Sequence, residues 1–245
     1  MNDTFASRAD NDAHAPGTVR ILVWDAPVCV FHWLMVASFA GAWLTAESER
    51  WRLLHATLGY TMVGLVAFRI VWGLMGTRYA RFSAFVRSPA AVLRYMASLL
   101  KGRPERHVGH NPAGAIAIIA MLLMTWAVGA TGWAAYNSTG GEWLGALHEG
   151  VANAMLALIL IHVVAVLASS LLHRENLIGA MVTGYKSGRA NESIRTARWG
   201  FAALVMAAAI AWWWTQWQAA PQALAPNPSA GSAAHLRTDG DGDGD

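Results

Sequence analysis

The chain has 245 residues, of which 55% are hydrophobic and only 13% are Asp, Glu, Lys or Arg, where soluble domains run to about a quarter charged. A single Cys beside nine His and thirteen Trp excludes an internal disulfide, a Cys-rich zinc site and a covalent CxxCH haem attachment. The apolar content excludes disorder of the whole chain. A net charge of +3 is too small to mark a nucleic-acid partner, despite a pI near 9.4.

Residues 1–19 are polar and read as a disordered N-terminus. The first apolar run, Ala26 to Ala46, holds no Asp, Glu, Lys or Arg. About 25 polar residues precede it without a basic lead-in, so it reads as a membrane helix and not as a cleavable signal. Leu53 to Met75 carries only Arg69, and neither His107 to Gly141 nor Gly150 to His173 carries any charge. The apolar part of each is close to the ~20 residues that span ~30 Å of hydrocarbon. Between the second and third segments, Pro89 to Lys101 suits either a helix on the membrane surface or a solvated linker. Asn111-Pro112 then starts the third helix, with Asn as N-cap and Pro in the first turn. Phe201 to Gln218 is alanine-rich and ends in Trp212, Trp213, Trp214 and Trp217, which suits a fifth span with an interfacial aromatic anchor.

The expected fold is therefore an all-α integral membrane protein. A four-helix transmembrane bundle occupies residues 20–190, a linker and fifth span residues 191–218, and a disordered acidic tail residues 219–245. The connection between the second and third segments holds Arg78, Arg81, Arg87, Arg94, Lys101, Arg103 and Arg106 against one acid, Glu105. That between the fourth and fifth holds Arg174, Lys186, Arg189, Arg195 and Arg198. The other two loops have two basic residues and none. The positive-inside rule then places the N-terminus in the cytoplasm and, if the fifth helix spans, the C-terminus outside.

Ionisable groups inside a bilayer are costly and usually functional. His32, His55, His148 and His162 fall within the predicted spans or their outer turns, whereas His14, His107, His110, His173 and His235 lie in tails or at interfaces. His148 and His162 are 14 residues apart on one segment, nearly four turns, so they share a face at depths differing by roughly 21 Å. With alternating helix directions, His55 shares the outer depth with His148, and His32 shares the inner depth with His162. Facing imidazoles suit the two axial positions of a haem iron, which leaves no open position for a substrate and favours electron transfer. A zinc site would need three or four ligands at one depth.

Arg69 follows His55 by 14 residues on the same face, where it either pairs with haem propionates or snorkels to the cytoplasmic headgroups. Gly59, Gly64, Gly129 and Gly132 offer room for a macrocycle or for close helix packing. Trp33, Trp72, Trp126 and Trp133 read as packing and interfacial residues.

The stretches VWDAPVCVFHW (23–33), LLHATLGYTMVGLVAFRIVWG (53–73), GHNPAG (109–114) and LHEGVANAMLALILIHVVAVLASSLLHRENLIGAMVTGYK (147–186) resemble the bacterial di-haem cytochrome b561 family, which includes the Ni,Fe-hydrogenase cytochrome b subunits. The resemblance implies two non-covalent haems b on a four-helix core, with the same ligand pairing. It also implies a place in the bacterial inner membrane and electron traffic between a quinone pool and a periplasmic hydrogenase or c-type cytochrome. One departure is Cys29, where similar sequences often carry Arg; its thiol cannot pair with a propionate and reads as a small buried group.

The leading expectation is an electron-transfer subunit, with quinone chemistry near the inner haem and polar contacts drawn from His110, Arg69 and Arg106. The alternatives are a stand-alone superoxide or quinone oxidoreductase and a non-redox transporter or anchor. Membrane lipid is an expected partner, and self-association stays open.

Overall fold

The computed structural model describes residues 19–86, 88–101 and 107–223. Residues 1–18 and 224–245 of the two expected tails, and Arg87, Arg103 and Arg106, fall outside the described residues, whereas Val19 begins a strand and residues 219–223 continue the last helix, so neither belongs to a disordered tail. The chain divides into two units, Met1–Ala207 and Ala208–Asp245, and every site discussed below lies in the first.

Strand β1 (Val19–Leu22) leads into helix α1 (Ala26–Thr45). Asp25 caps α1, its carboxylate accepting from the Val28 amide at 3.0 Å, and Pro27 sits in the first turn, where no amide is missed. A single 3₁₀ turn, Glu49–Trp51, reverses the chain into α2 (Arg52–Met75), which ends at Gly76. The short α3 (Phe82–Phe85) and the amphipathic α4 (Pro89–Leu100) follow. Of the two readings open for Pro89 to Lys101, the helix is the one realised, and α4 lies against α5 (Pro112–Tyr136). Asn111 caps α5 through a 2.7 Å bond from the Gly114 amide. Helix α6 (Trp143–His173) runs unbroken for 31 residues and ends at Arg174 in a left-handed conformation. Then come α7 (Leu177–Thr183), strand β2 (Tyr185–Gly188) and α8 (Trp199–Ala223).

Among the described residues, four helical segments are long and apolar enough to cross a membrane: Ala26–Thr45, Glu49–Met75, Pro112–Tyr136 and Trp143–His173. Helix α8 is not among them, because its tryptophans and glutamines dilute its apolarity. Leu74, Leu123, Ile161, Val164 and Leu171 are all exposed, as side chains facing lipid must be. The protein is a multi-pass membrane protein.

The all-α expectation needs one correction. β1 and β2 pair antiparallel, with Val19 opposite Gly188 and Leu22 opposite Tyr185. The sheet ties the chain entering the four-helix core to the chain leaving it. Ile21, Val23, Trp24 and Ala180 form a buried cluster there, flanked by Cys29, Tyr79, Val108 and Met181. A second cluster joins Val28, Trp72 and Ala80. Asp25 links the start of α1 to the end of α2 by accepting from Trp72 Nε1 at 3.0 Å and Thr77 Oγ1 at 2.6 Å. Within β2, buried Lys186 pairs with Glu175 at 3.2 Å and donates to the Val108 carbonyl at 3.2 Å.

The four long helices pack in sequence, α1 on α2, α2 on α5 and α5 on α6. By contrast, α6 packs extensively on neither α1 nor α2, and Met155 is its only buried residue. The dense packing therefore lies at the arginine-rich end, while α6 stands off from α1 and α2.

Candidate haem sites

That gap is bordered by the four membrane histidines. His55 on α2 and His148 on α6 face one another with ring centroids 6.0 Å apart and ring planes at 82°. His55 Nδ1 lies 2.8 Å from the Ala42 carbonyl, and His148 Nδ1 lies 3.1 Å from the Val128 carbonyl. A carbonyl oxygen can only accept, so each Nδ1 carries the proton and each Nε2 keeps its lone pair. The Thr131 hydroxyl donates to the Ala127 carbonyl at 2.8 Å and lies 3.3 Å from His148 Nδ1, so its oxygen shares that proton. Metal-bound histidines are usually oriented in this way, through the nitrogen that does not bind the metal. Two imidazoles that each hold a metal at about 2 Å from opposite sides have ring centroids roughly 6 Å apart. The pair fits one metal between its rings.

His32 on α1 and His162 on α6 are close enough to interact electrostatically. His32 Nδ1 is buried without a hydrogen-bond partner, the state of a group that a bound molecule would satisfy. Arg69 is only 3% exposed. Its guanidinium lies over the Phe82 ring at 5.0 Å and near Phe85 at 6.0 Å, and its Nη1 is buried without an acceptor. Snorkelling would require that head to reach water, and it does not. His110 is sandwiched between Trp24 at 4.4 Å and Phe85 at 4.9 Å. Burial, followed by the positive charges of Arg69 and Lys186, pushes its imidazole down to about 3, so it is neutral at pH 7. Its Nδ1 is a third buried polar atom without a partner. A group bearing acceptor oxygens would satisfy Arg69.

Among the described residues no three His, Cys, Asp or Glu converge on one point. His55 faces His148, and His32 lies within electrostatic reach of His162. The family model for prokaryotic cytochrome b561 matches residues 23–184, a stretch that contains all four histidines and Arg69.

The chain belongs to the prokaryotic cytochrome b561 family.

It is similar to the probable Ni/Fe-hydrogenase 1 B-type cytochrome subunit of Escherichia coli, at 25% identity over 67% of this chain and 90% of the relative. The corresponding proteins of Rhodobacter capsulatus (23% identity, 68% of this chain, 81% of the relative) and Cupriavidus necator (24%, 67% and 86%) are also similar. No solved structure matches significantly. As a b-type cytochrome the protein is an electron-transfer protein, and its class implies haem b. Helix α8 lies beyond the family match.

Within this cytochrome the four glycines divide by role. A Cβ on Gly132 would lie 2.9 Å from His148 Cε1, so Gly132 makes room for the imidazole and not for a macrocycle. A Cβ on Gly129 would strike Val63 on α2, so that glycine serves helix packing. Gly59 and Gly64 border open space, and Gly59 is one turn from His55 on its face. Cys29 packs against the buried cluster around Trp24, as a small apolar group would. Trp72 is buried against Asp25, whereas Trp126 and Trp133 are exposed. Sequence reasoning passed over Asp25, although an acid directly before Ala-Pro at a helix start is an N-cap signal.

Proposed function

We propose that this cytochrome holds two haems b non-covalently, the outer between His55 and His148 and the inner between His32 and His162. It passes electrons across the bacterial inner membrane between a quinone pool and a periplasmic partner. The observation that carries this reading is the His55–His148 pair, 6.0 Å apart with both Nδ1 protons held by backbone carbonyls. A bound haem supplies a one-electron couple at each depth. The protein's own residues keep that chemistry to electron transfer. The Nδ1–H tautomers of His55 and His148 leave each Nε2 free to hold an iron, and residues so placed would leave no position for a substrate. Arg69, on the inner ligands' level, offers its free Nη1 to a propionate. His110 and Arg69 stand beside the inner pair as polar contacts for a quinone, with Arg106 the further candidate.

The arginine-rich connections favour the cytoplasmic side for the N-terminus, and a spanning α8 would put the C-terminus in the periplasm. The hydrogenase names of the relatives favour a hydrogenase as the periplasmic partner, with a c-type cytochrome as the alternative. A pyridine haemochrome spectrum of well-loaded protein should give two haems b per chain. His148→Ala should remove the outer haem and leave the inner. A stoichiometry of one, or loss of both haems from the variant, would overturn the two-site assignment.

A further inference from the structure

Outside the haem sites the structure contains a half-open apolar cavity of about 310 Å³ at the arginine-rich end of α1. Trp33 and Leu34 line it from α1, Trp199 and Met206 from the start of α8, and Tyr185 and Ala197 from the chain between α7 and α8. It follows α1 and α8 for about 10–12 Å, counted from Ala26 to Leu34 and from Trp199 to Met206. A bond from the Ala26 amide to the Ala197 carbonyl at 2.8 Å ties the start of α1 to the segment that leads into α8. No charged side chain lines the cavity. Two of its polar side chains are engaged: Trp33 Nε1 donates to the Met181 carbonyl at 3.3 Å, and Thr183 Oγ1 donates to the Gly179 carbonyl at 2.9 Å. The uncharged, mostly apolar lining therefore suits hydrocarbon.

The residues beside Tyr185 and Ala197 are charged. The Arg20 guanidinium lies 4.5 Å over the ring of Tyr185. Exposed Arg198 falls between the lining residues Ala197 and Trp199, and exposed Arg195 lies two residues before Ala197. The nearby acid Glu192 is engaged by the Arg189 amide at 2.8 Å. Arg198 also has φ +58, a left-handed conformation that glycine would adopt at less cost, yet the position carries a cation.

We propose that this groove binds an anionic phospholipid of the cytoplasmic leaflet. One acyl chain lies along α1 and α8, and the phosphate sits among Arg20, Arg195 and Arg198. The apolar walls recognise the chain, and the arginines select the charge, the same combination by which basic pockets at the cytoplasmic side of membrane helices hold acidic lipid headgroups. None of the four histidines lines the groove, so this inference stands or falls separately from the haem assignment.

The test uses the full-length, haem-loaded protein in mild detergent with equal amounts of phosphatidylglycerol and phosphatidylcholine of the same chain length, read by native mass spectrometry. The wild type should retain one phosphatidylglycerol per chain in preference to phosphatidylcholine. Arg20→Gln combined with Arg198→Gly should lower that retention by about tenfold or more. The glycine relieves the backbone at 198, so an unchanged size-exclusion profile is expected alongside the loss. Met206→Trp, which fills the groove without touching charge, should lower retention of both lipids. Equal retention of the two lipids by the wild type would overturn the proposal. So would undiminished phosphatidylglycerol on the double variant or on Met206→Trp.

Discussion

His148 is positioned by contacts that a few tenths of an ångström would disturb. Its ring is backed by Gly132, and its Nδ1 proton is shared by Val128 and Thr131. Gly132→Ala places a methyl 2.9 Å from Cε1, so the ring must move off its carbonyl. Displacing a ligand's supporting contacts typically costs 10–100-fold in metal affinity. The expected outcome is about tenfold weaker retention of the outer haem with the inner haem unchanged, followed by haem titration. Gly129→Ala, three residues away, should instead loosen α2 from α5, because its methyl would strike Val63. The sequence could flag both glycines but could not separate their roles, since each faces a neighbour on a different helix. The same holds for Arg69. Its shared face with His55 was readable from spacing, whereas its burial beneath Phe82 and Phe85 depends on a later turn of chain.

Elements were legible in proportion to their length. Four long apolar runs, three of them uncharged and the other with only Arg69, marked α1, α2, α5 and α6 because a bilayer demands about twenty apolar residues, a signal no short element can match. The four-residue strands had no such signature, since β1 finds its partner only beyond α7. Helix α4 was ambiguous for a related reason: an amphipathic stretch does not say what will cover it. The joint between these late elements rests on Lys186, which is buried with Glu175 and also donates to Val108. Removing one partner of a buried pair leaves an uncompensated charge, so Glu175→Gln should cost about 3 kcal/mol. A clear fall in the thermal midpoint of haem release would register it. The exposed Glu49–Arg52 pair, at 3.9 Å, should show no measurable change on Glu49→Gln.

At the scale of the whole molecule, packing is strong at the sheet end and weak between α6 and the first two helices. The histidine pairs reach across the weak contacts, which makes the proposed haems part of the bundle's interior as well as its redox groups. A ligand that binds only the folded state stabilises it in proportion to its affinity. Haem-depleted protein should therefore exchange backbone hydrogens in α6 markedly faster than loaded protein, while β1, β2 and α7 change little. Equal protection of α6 with and without haem would show that the helix is held by other means. His148 and His162 lie on one uninterrupted helix, as their 14-residue spacing on an uncharged run predicted. That continuity also restricts how the gene can vary. Between His148 and His162 any substitution that keeps the helix preserves the ligand geometry, but one inserted or deleted codon turns one imidazole about 100° away from its partner. No loop between the two ligands is available to absorb the error, so this stretch can drift in composition but not in length.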